Sequence, residues 1–569
     1  MATSYPLDVL PPQSTLTNSS ATEDELRHSP QNYFEGSDVV WVTLCAALVL
    51  QMIPAISMVY AGATDRSSTL TLLRMPVITA AFCTVHWYLW GYVLTFSPAA
   101  DPATWTWYGG RTQSMVLYQA LVRPVGAPGP KIPELLYAFY QGMFAAFTPA
   151  LICGGVIKKF KVGRFLVFIW LWSLLVYYPV ARWTWSPGAF SDQNGVMDFA
   201  GGTAVHITSG TTVGAIVLFF EFERHGLRIF GRAWAILSPP SSDDDGRAED
   251  LRVGNELSTL KPKFNGPPKQ APQSHTPGAG TSGAERTSNN PNNLTTTPTA
   301  TNAADRASVA PPPAVLPNEN DPPLAGDAPH SLNNLVLGTM LLWIGWRGFN
   351  GGSALGGNMR AVSACAATHV AASSGAGVML VLFWFLEWTA RKWPEYFQDD
   401  RRGSADASKG HKLSVVQFCD GAVVGLVAIT PAAGYVPVWA AGCIGAIASG
   451  SIFGLKILFQ DLMRQDPLFI FLLHTGGGFI GMFLTGCFAR QYIVGLDGIS
   501  DVLDRSVPER LRWQMADAFM GFGFTLGMTL GILFFMKLVL RPFTGTWRLL
   551  GENEEDKLEA ELEYKWRIE

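Results

Sequence analysis

Two histidines sit in matched settings far apart in the chain. The stretches Asp198-Phe-Ala-Gly-Gly-Thr-Ala-Val-His206-Ile-Thr-Ser-Gly210 and Asp466-Pro-Leu-Phe-Ile-Phe-Leu-Leu-His474-Thr-Gly-Gly-Gly478 share one spacing: an Asp eight residues before the His and a Gly four after it. Both lie in apolar runs. An ionisable group at bilayer depth is costly and marks a pathway or a proton relay. Imidazole is the side chain that exchanges a proton near neutral pH, and two imidazoles meeting at a pseudo-two-fold axis can share one proton. No further His, Cys or carboxylate stands at ligand spacing beside them, so the pair predicts proton handling and no metal site. His86 and His369 also fall in apolar runs, but each stands alone and is read as a packing residue.

The elements that must carry these residues are membrane spans. The 569-residue chain has 15% charged and 48% hydrophobic residues, against about 25% charged in a soluble domain. With a net charge of −4 and no long basic block, it is not composed as a nucleic-acid binder, a soluble enzyme or a disordered protein. Apolar runs long enough to span recur near 38–60, 76–97, 133–157, 165–184, 196–222, 332–350, 358–388, 413–433, 435–460, 468–490 and 514–541. The predicted fold class is therefore all-α, with eleven transmembrane helices. The seven cysteines, Cys45, Cys83, Cys153, Cys365, Cys419, Cys443 and Cys487, lie inside these runs and read as small buried hydrophobes. Gly527-x-x-x-Gly531 reads as a close helix contact.

Orientation follows from the loop cations. The third loop holds Lys158, Lys159, Lys161 and Arg164 and the seventh holds Arg391, Lys392, Arg401, Arg402, Lys409 and Lys412, whereas the fourth and eighth hold none. Odd loops are then cytoplasmic, with the N-terminus outside and the C-terminus inside, and the sequon at Asn18 is extracellular. Residues 1–37 are a polar extracellular segment, and 38–222 carry helices 1–5. Residues 223–331, rich in Pro, Ser, Thr and Asn, are expected to be a disordered cytoplasmic loop. Helices 6–10 occupy 332–490. An outer loop and helix 11 fill 491–543, and 544–569 form an acidic cytoplasmic tail. The two His-bearing stretches end units of five helices each. Five is odd, so the second unit enters the membrane upside down relative to the first, an inverted repeat of transporter type, with helix 11 outside it.

Longer motifs carry a family resemblance. Asp198-Phe-Ala-Gly-Gly-Thr-Ala-Val-His206, Leu342-Trp-Ile-Gly-Trp-Arg-Gly-Phe349-Asn-Gly-Gly-Ser353 and Gly421-Ala-Val-Val-Gly-Leu-Val-Ala-Ile-Thr430-Pro-Ala-Ala-Gly-Tyr435 resemble signature stretches of the ammonium transporter (Amt/Mep/Rh) family, of fungal type. Trp87-Tyr-Leu-Trp-Gly-Tyr92 and Tyr140-Gln-Gly-Met-Phe144 do so too, and the resemblance runs from about Asp38 to Lys537, the polar loop excepted.

The resemblance implies a plasma-membrane homotrimer with one pore per protomer, carrying ammonium or ammonia, with no enzymatic activity and no cofactor or metal. It implies that Trp185, Phe144 and Ser353 recruit the cation and that Phe144 and Phe349 gate the pore. It further implies that His206 and His474 line the pore and relay the proton, while Asp198 and Gln141 order the vestibule. Taken alone, Trp185 would read as an interfacial anchor and the Phe pair as core. Loop 223–331 or tail 544–569 is expected to bind any cytoplasmic regulator. Two other readings remain, an ammonium sensor that signals without transporting and a channel for a neutral gas as in the Rh branch. Phe469 stands where an acidic residue is common in the family, and the tail lacks the usual Gly-Leu-Asp run.

Overall fold

The computed structural model describes residues 34–64, 66–97, 108–109, 124–125, 132–156, 159–225, 329–393, 414–459, 465–498 and 505–544. The expected disorder of loop 223–331 beyond 225, the acidic tail beyond 544 and the Asn18 sequon lie outside them.

Among the described residues, nine helices are long and apolar enough to cross a membrane. The expected count was eleven. Leu332–Gly352 carries enough Gly, Asn and Arg to dilute its apolarity, and Val415–Ile429 is short; with these two the helices number eleven. In chain order, α1 is Gly36–Ala63 and α2 runs from Thr69–His86 through a wide turn, Trp87–Gly91, to Tyr92–Phe96. Helix α3 is Glu134–Ile152, and α4 runs from Val162–Trp172 through Ser173–Tyr177 to Tyr178–Trp185. A short helix, Phe190–Gln193, leads toward α5, which opens as the π-turn Gly202–Ile207 and continues as Thr208–His225. Then come α6 (Leu332–Gly352), α7 (Met359–Lys392), α8 (Val415–Ile429) and α9 (Val438–Phe459). Helix α10 opens as the π-turn Phe471–Gly476 and continues as Gly477–Phe488, and α11 is Val507–Thr544. The described strands are one two-residue antiparallel pair, Pro124–Val125 with Ile132–Pro133.

Helices satisfy every backbone group internally, which an apolar solvent demands. The polar ends need caps, and Ser331, Asn358 and Ser414 supply them by accepting from Asn334 N, Ala361 N and Gln417 N. Small residues bring backbones together. A Cβ on Gly345 would lie 2.7 Å from Leu48 O of α1, and one on Gly425 would lie 2.3 Å from Ala371 O of α7. Gly527 and Gly531 depart from their expected role: a Cβ on either meets nothing within 4 Å among the described residues, so no described helix packs closely there. The cysteines are all free; Cys45, Cys83, Cys153 and Cys419 are buried, but Cys365 and Cys487 are half-buried and Cys443 is exposed. A span with one face turned away from the bundle exposes whatever residue that face carries.

Both His-bearing helices begin later than their apolar runs suggest. Asp198 and Asp466 stand ahead of α5 and α10 as acceptors for the first turns, not inside them.

Candidate functional site

Asp198 caps the start of α5. Its Oδ1 accepts from Gly201 N (2.9 Å) and Gly202 N (2.5 Å) and its Oδ2 from Thr203 N (2.8 Å). These are the otherwise orphaned donors of a helix N-terminus, and a carboxylate there also complements the helix dipole. Gly201 makes the turn at φ +112°, where a Cβ would meet Val205 at 2.5 Å. The carbonyl of Asp198 accepts from Trp185 Nε1 at 3.1 Å, so α4 and α5 are tied at this point. Trp185 is 7% exposed with its N–H bonded inside the protein, so it is no interfacial anchor.

From Trp185 a file of rings descends. The Phe144 ring meets Trp185 edge-on at 5.7 Å and lies 4.3 Å from the Phe349 ring, tilted by 33°. Phe349 is 6.3 Å from the His206 ring, and His206 is 5.3 Å from His474, near-parallel at 26°. The helices α3, α4, α5, α6 and α10 thus each place one ring in a continuous series of neighbours. Ser353 joins through its own turn: its Oγ donates to Phe349 O (2.9 Å), and Tyr140 OH donates to the same carbonyl (2.7 Å). Tyr140 OH also lies 3.4 Å from Ser353 Oγ, and with its own hydrogen given to Phe349 O the Ser353 hydroxyl has acceptor capacity only. Gln141 donates from Nε2 to Tyr137 OH (3.3 Å), while its buried Oε1 meets no donor among the described residues.

The histidines face each other through Nδ1, 3.2 Å apart. His206 Nε2 lies 3.2 Å from Thr430 Oγ1. That hydroxyl gives its hydrogen to Leu426 O (2.8 Å) and accepts from Trp346 Nε1 (2.9 Å). It has only acceptor capacity left for His206. His206 therefore carries its hydrogen on Nε2, its Nδ1 accepts, and His474 donates from Nδ1. His474 Nε2 is then the acceptor at the end of the file. Trp346 also stacks on His206 at 5.3 Å and 17°, which fixes the ring plane.

The glycines four residues beyond each histidine explain the close approach. A Cβ on Gly210 would strike Thr475 Oγ1 at 2.5 Å, and one on Gly478 would come within 2.8 Å of Ile207 Cγ1. Each glycine thus receives the residue that follows the opposite histidine, which is the reciprocity of a local two-fold axis.

The structure brings Trp185, Phe144, Phe349, His206, His474 and Asp198 together, with Ser353 and Gln141 at the side. The other two histidines have different settings. His86 is buried, accepts from Trp90 Nε1 (2.7 Å) and makes a short contact with Tyr178 OH. His369 is exposed and its Nδ1 accepts from Trp343 Nε1 (3.1 Å), with Arg347 Nη2 also near. Sequence reasoning gave no role to Thr430 or Trp346, the pair that sets the His206 tautomer. Both stand in quoted motifs, and a Thr followed by Pro431 in an apolar run was the available signal.

Comparison with known proteins gives a concordant result. A family model described as Ammonium Transporter Family matches residues 40–228, 322–395 and 403–557, well over half of the chain. The chain is 29% identical over 520 residues to Ammonium transporter 1 of Schizosaccharomyces pombe, spanning 91% of this chain and 80% of that one. It is also 29% identical to Ammonium transporter MEP2 of Saccharomyces cerevisiae, over 81% of this chain and 68% of that one. The crystal structure of Candida albicans Mep2 superposes with a TM-score of 0.64 at 26% identity, covering 92% of this chain and 88% of that one.

Proposed function

Because this chain belongs to the ammonium transporter family, we propose that it moves ammonium across the plasma membrane by separating the proton from ammonia. It is a multi-pass membrane protein, and family membership points to transport in place of catalysis. The observation that carries the reading is the ring file from Trp185 to the histidine pair.

The physics selects this route. A Trp face attracts a cation by roughly 0.5–2 kcal/mol, and the Ser353 lone pairs suit an ion that only donates. Stripping the ion of water has an idealised cost on the order of 20 kcal/mol in a low dielectric. Such weak contacts cannot carry a bare cation past Phe144 and Phe349. Ammonia, small and neutral, passes. The proton's route is assigned to the histidine pair, whose facing Nδ1 atoms share one hydrogen and whose free acceptor is His474 Nε2. Potassium has no proton to give up and is refused at the same step. A neutral-gas channel needs no cation site, so the buried Trp185 disfavours it, and the complete histidine pair disfavours a sensor that does not transport.

The working form is a homotrimer with the N-terminus outside. Arg347 supports assembly: it is exposed on α6, one residue from the Trp346 that stacks on His206, and so lies at pore depth. A charge facing lipid there is costly, and a second copy of the chain covers it. Residues 38–222 and 332–490 act as the two inverted units around the pore. Any cytoplasmic regulator binds loop 223–331 or tail 544–569.

The test is current in proteoliposomes of purified protein. Ammonium evokes current, potassium evokes none, and native mass spectrometry gives trimers. Trp185→Leu raises the half-saturating ammonium concentration about tenfold. No current from ammonium, or equal current from potassium, refutes the reading.

A further inference from the structure

Helix α11 lies outside the repeat, yet its buried polar residues reach the Asp198 segment. Gln514 and Asp517 are fully buried. Gln514 Oε1 accepts from Met197 N (2.6 Å), and its Nε2 donates to Met197 O (2.9 Å) and lies 3.3 Å from Met482 O. One side-chain amide thus satisfies both backbone groups of the residue before Asp198, as a neighbouring strand would. Asp517 Oδ1 accepts from Ser191 Oγ (2.6 Å), at the start of the same segment. At Gly521 the absent side chain leaves room for Thr203, whose Cγ2 would lie 2.4 Å from a Cβ there. Positions 514, 517 and 521 share one helix face, and they bracket Asp198 at residues 191, 197 and 203.

The far side of the segment is held by the second unit. Phe199 N donates to Pro431 O (3.1 Å), and the Arg360 guanidinium lies 5.2 Å from the Phe199 ring while pairing with Asp497 at 2.9 Å. The carbonyl of Asp198, caught between these supports, is what holds the Trp185 indole.

We propose that Gln514 is a positioning residue for cation recruitment: through Met197 it sets the place of the Asp198 carbonyl and hence the aromatic face that Trp185 offers to ammonium. The proposal rests on the transport reading above. It makes α11 the support of one mouth only, because the Asp466 segment has no counterpart of this helix among the described residues.

Three variants of the full chain test it. Gln514→Leu removes both bonds to Met197. Gln514→Glu keeps the acceptor for Met197 N and loses the donors. Thr525→Val alters another fully buried polar group of α11 that lies beyond this segment. In proteoliposomes Gln514→Leu raises the half-saturating ammonium concentration about tenfold, the scale of one aromatic–cation contact, while maximal current stays within about twofold. Gln514→Glu gives a smaller rise in the same direction, and Thr525→Val gives none. Hydrogen exchange supplies a readout that needs no transport: the amides of residues 197–203 exchange faster in Gln514→Leu and not in Thr525→Val. Unchanged half-saturation and unchanged exchange in Gln514→Leu overturn the proposal, as does an equal loss of maximal current in both apolar variants without any change in half-saturation. If Gln514→Leu does not reach the membrane, Gln514→Glu decides by the same two measurements. If the wild type gives no ammonium current, the transport reading fails while the exchange result still judges the role of Gln514.

Discussion

The segments that begin α5 and α10 descend from one pattern, and the protein has built them differently. Asp198 accepts three backbone hydrogens, and its segment is held by α11 on one side and by Pro431 and Arg360 on the other. Asp466 accepts from Phe471 N (2.8 Å) through one oxygen, and its other oxygen has no hydrogen bond among the described residues. Between them and His474 stands Phe469, at φ +52°, with the Lys456 ammonium 4.8 Å above its ring. A left-handed backbone at a bulky residue is strained. Lys159 Nζ reaches over to Gln465 O (2.5 Å) and Gly155 O (2.9 Å), so a single cation does for this segment part of what a helix does for the other. Symmetry is retained where the histidines meet and lost toward the two mouths. On the proposed mechanism, one mouth presents a fixed aromatic face to a cation and the other only releases a neutral molecule and a proton.

The sharpest break of the comparison is at the centre. His206→Ala combined with His474→Ala abolishes ammonium current with folding and assembly unchanged, since no buried charge is left unpaired. The singles are unequal: His206→Ala loses more than His474→Ala, because only His206 is held by Thr430 and stacked on Trp346. Current and isotope flux for the three variants decide this. Equal singles mean that the shared axis, not the local partners, governs the relay, and full current in the double variant removes the histidines from the mechanism.

The carboxylates come next. Asp198→Ala leaves three buried donors without an acceptor, a loss of about 3 kcal/mol or more. Asp466→Ala strands one donor, at roughly 1–3 kcal/mol. Thermal unfolding in detergent should show the larger drop for Asp198→Ala, with weaker ammonium affinity in that variant alone. A reversed order would mean that bracing by α11 makes the Asp198 bonds redundant.

The smallest effect is at Phe469. Phe469→Gly relieves the left-handed backbone but gives up a half-buried ring, so stability should change by no more than about 1 kcal/mol either way. Ammonium current should be unchanged. A large loss of current would show that the ring over Lys456 takes part in release, and that this mouth is as specialised as the other.

The apolar runs, their number and the twin Asp-x7-His-x3-Gly pattern were legible in the linear chain, because bilayer thickness sets a minimum span length and intramembrane ionisable residues are too costly to be incidental. The pairing of His206 with His474 was legible for the same reason. The chain alone could not tell that Asp198 stands before its helix, since an apolar run does not reveal where a carboxylate takes over the first turn. It did not assign the tautomers, because those depend on where Thr430 places its one hydrogen after α6, α8 and α5 have packed. Nor did it distinguish Trp185 as a buried ring from Trp185 as an anchor, which rests on a carbonyl thirteen residues away. Residue types and spacing determined which groups can exchange a proton; only tertiary packing decided which neighbour each group faces, and a hydrogen bond or a cation–aromatic contact exists only at that distance and angle.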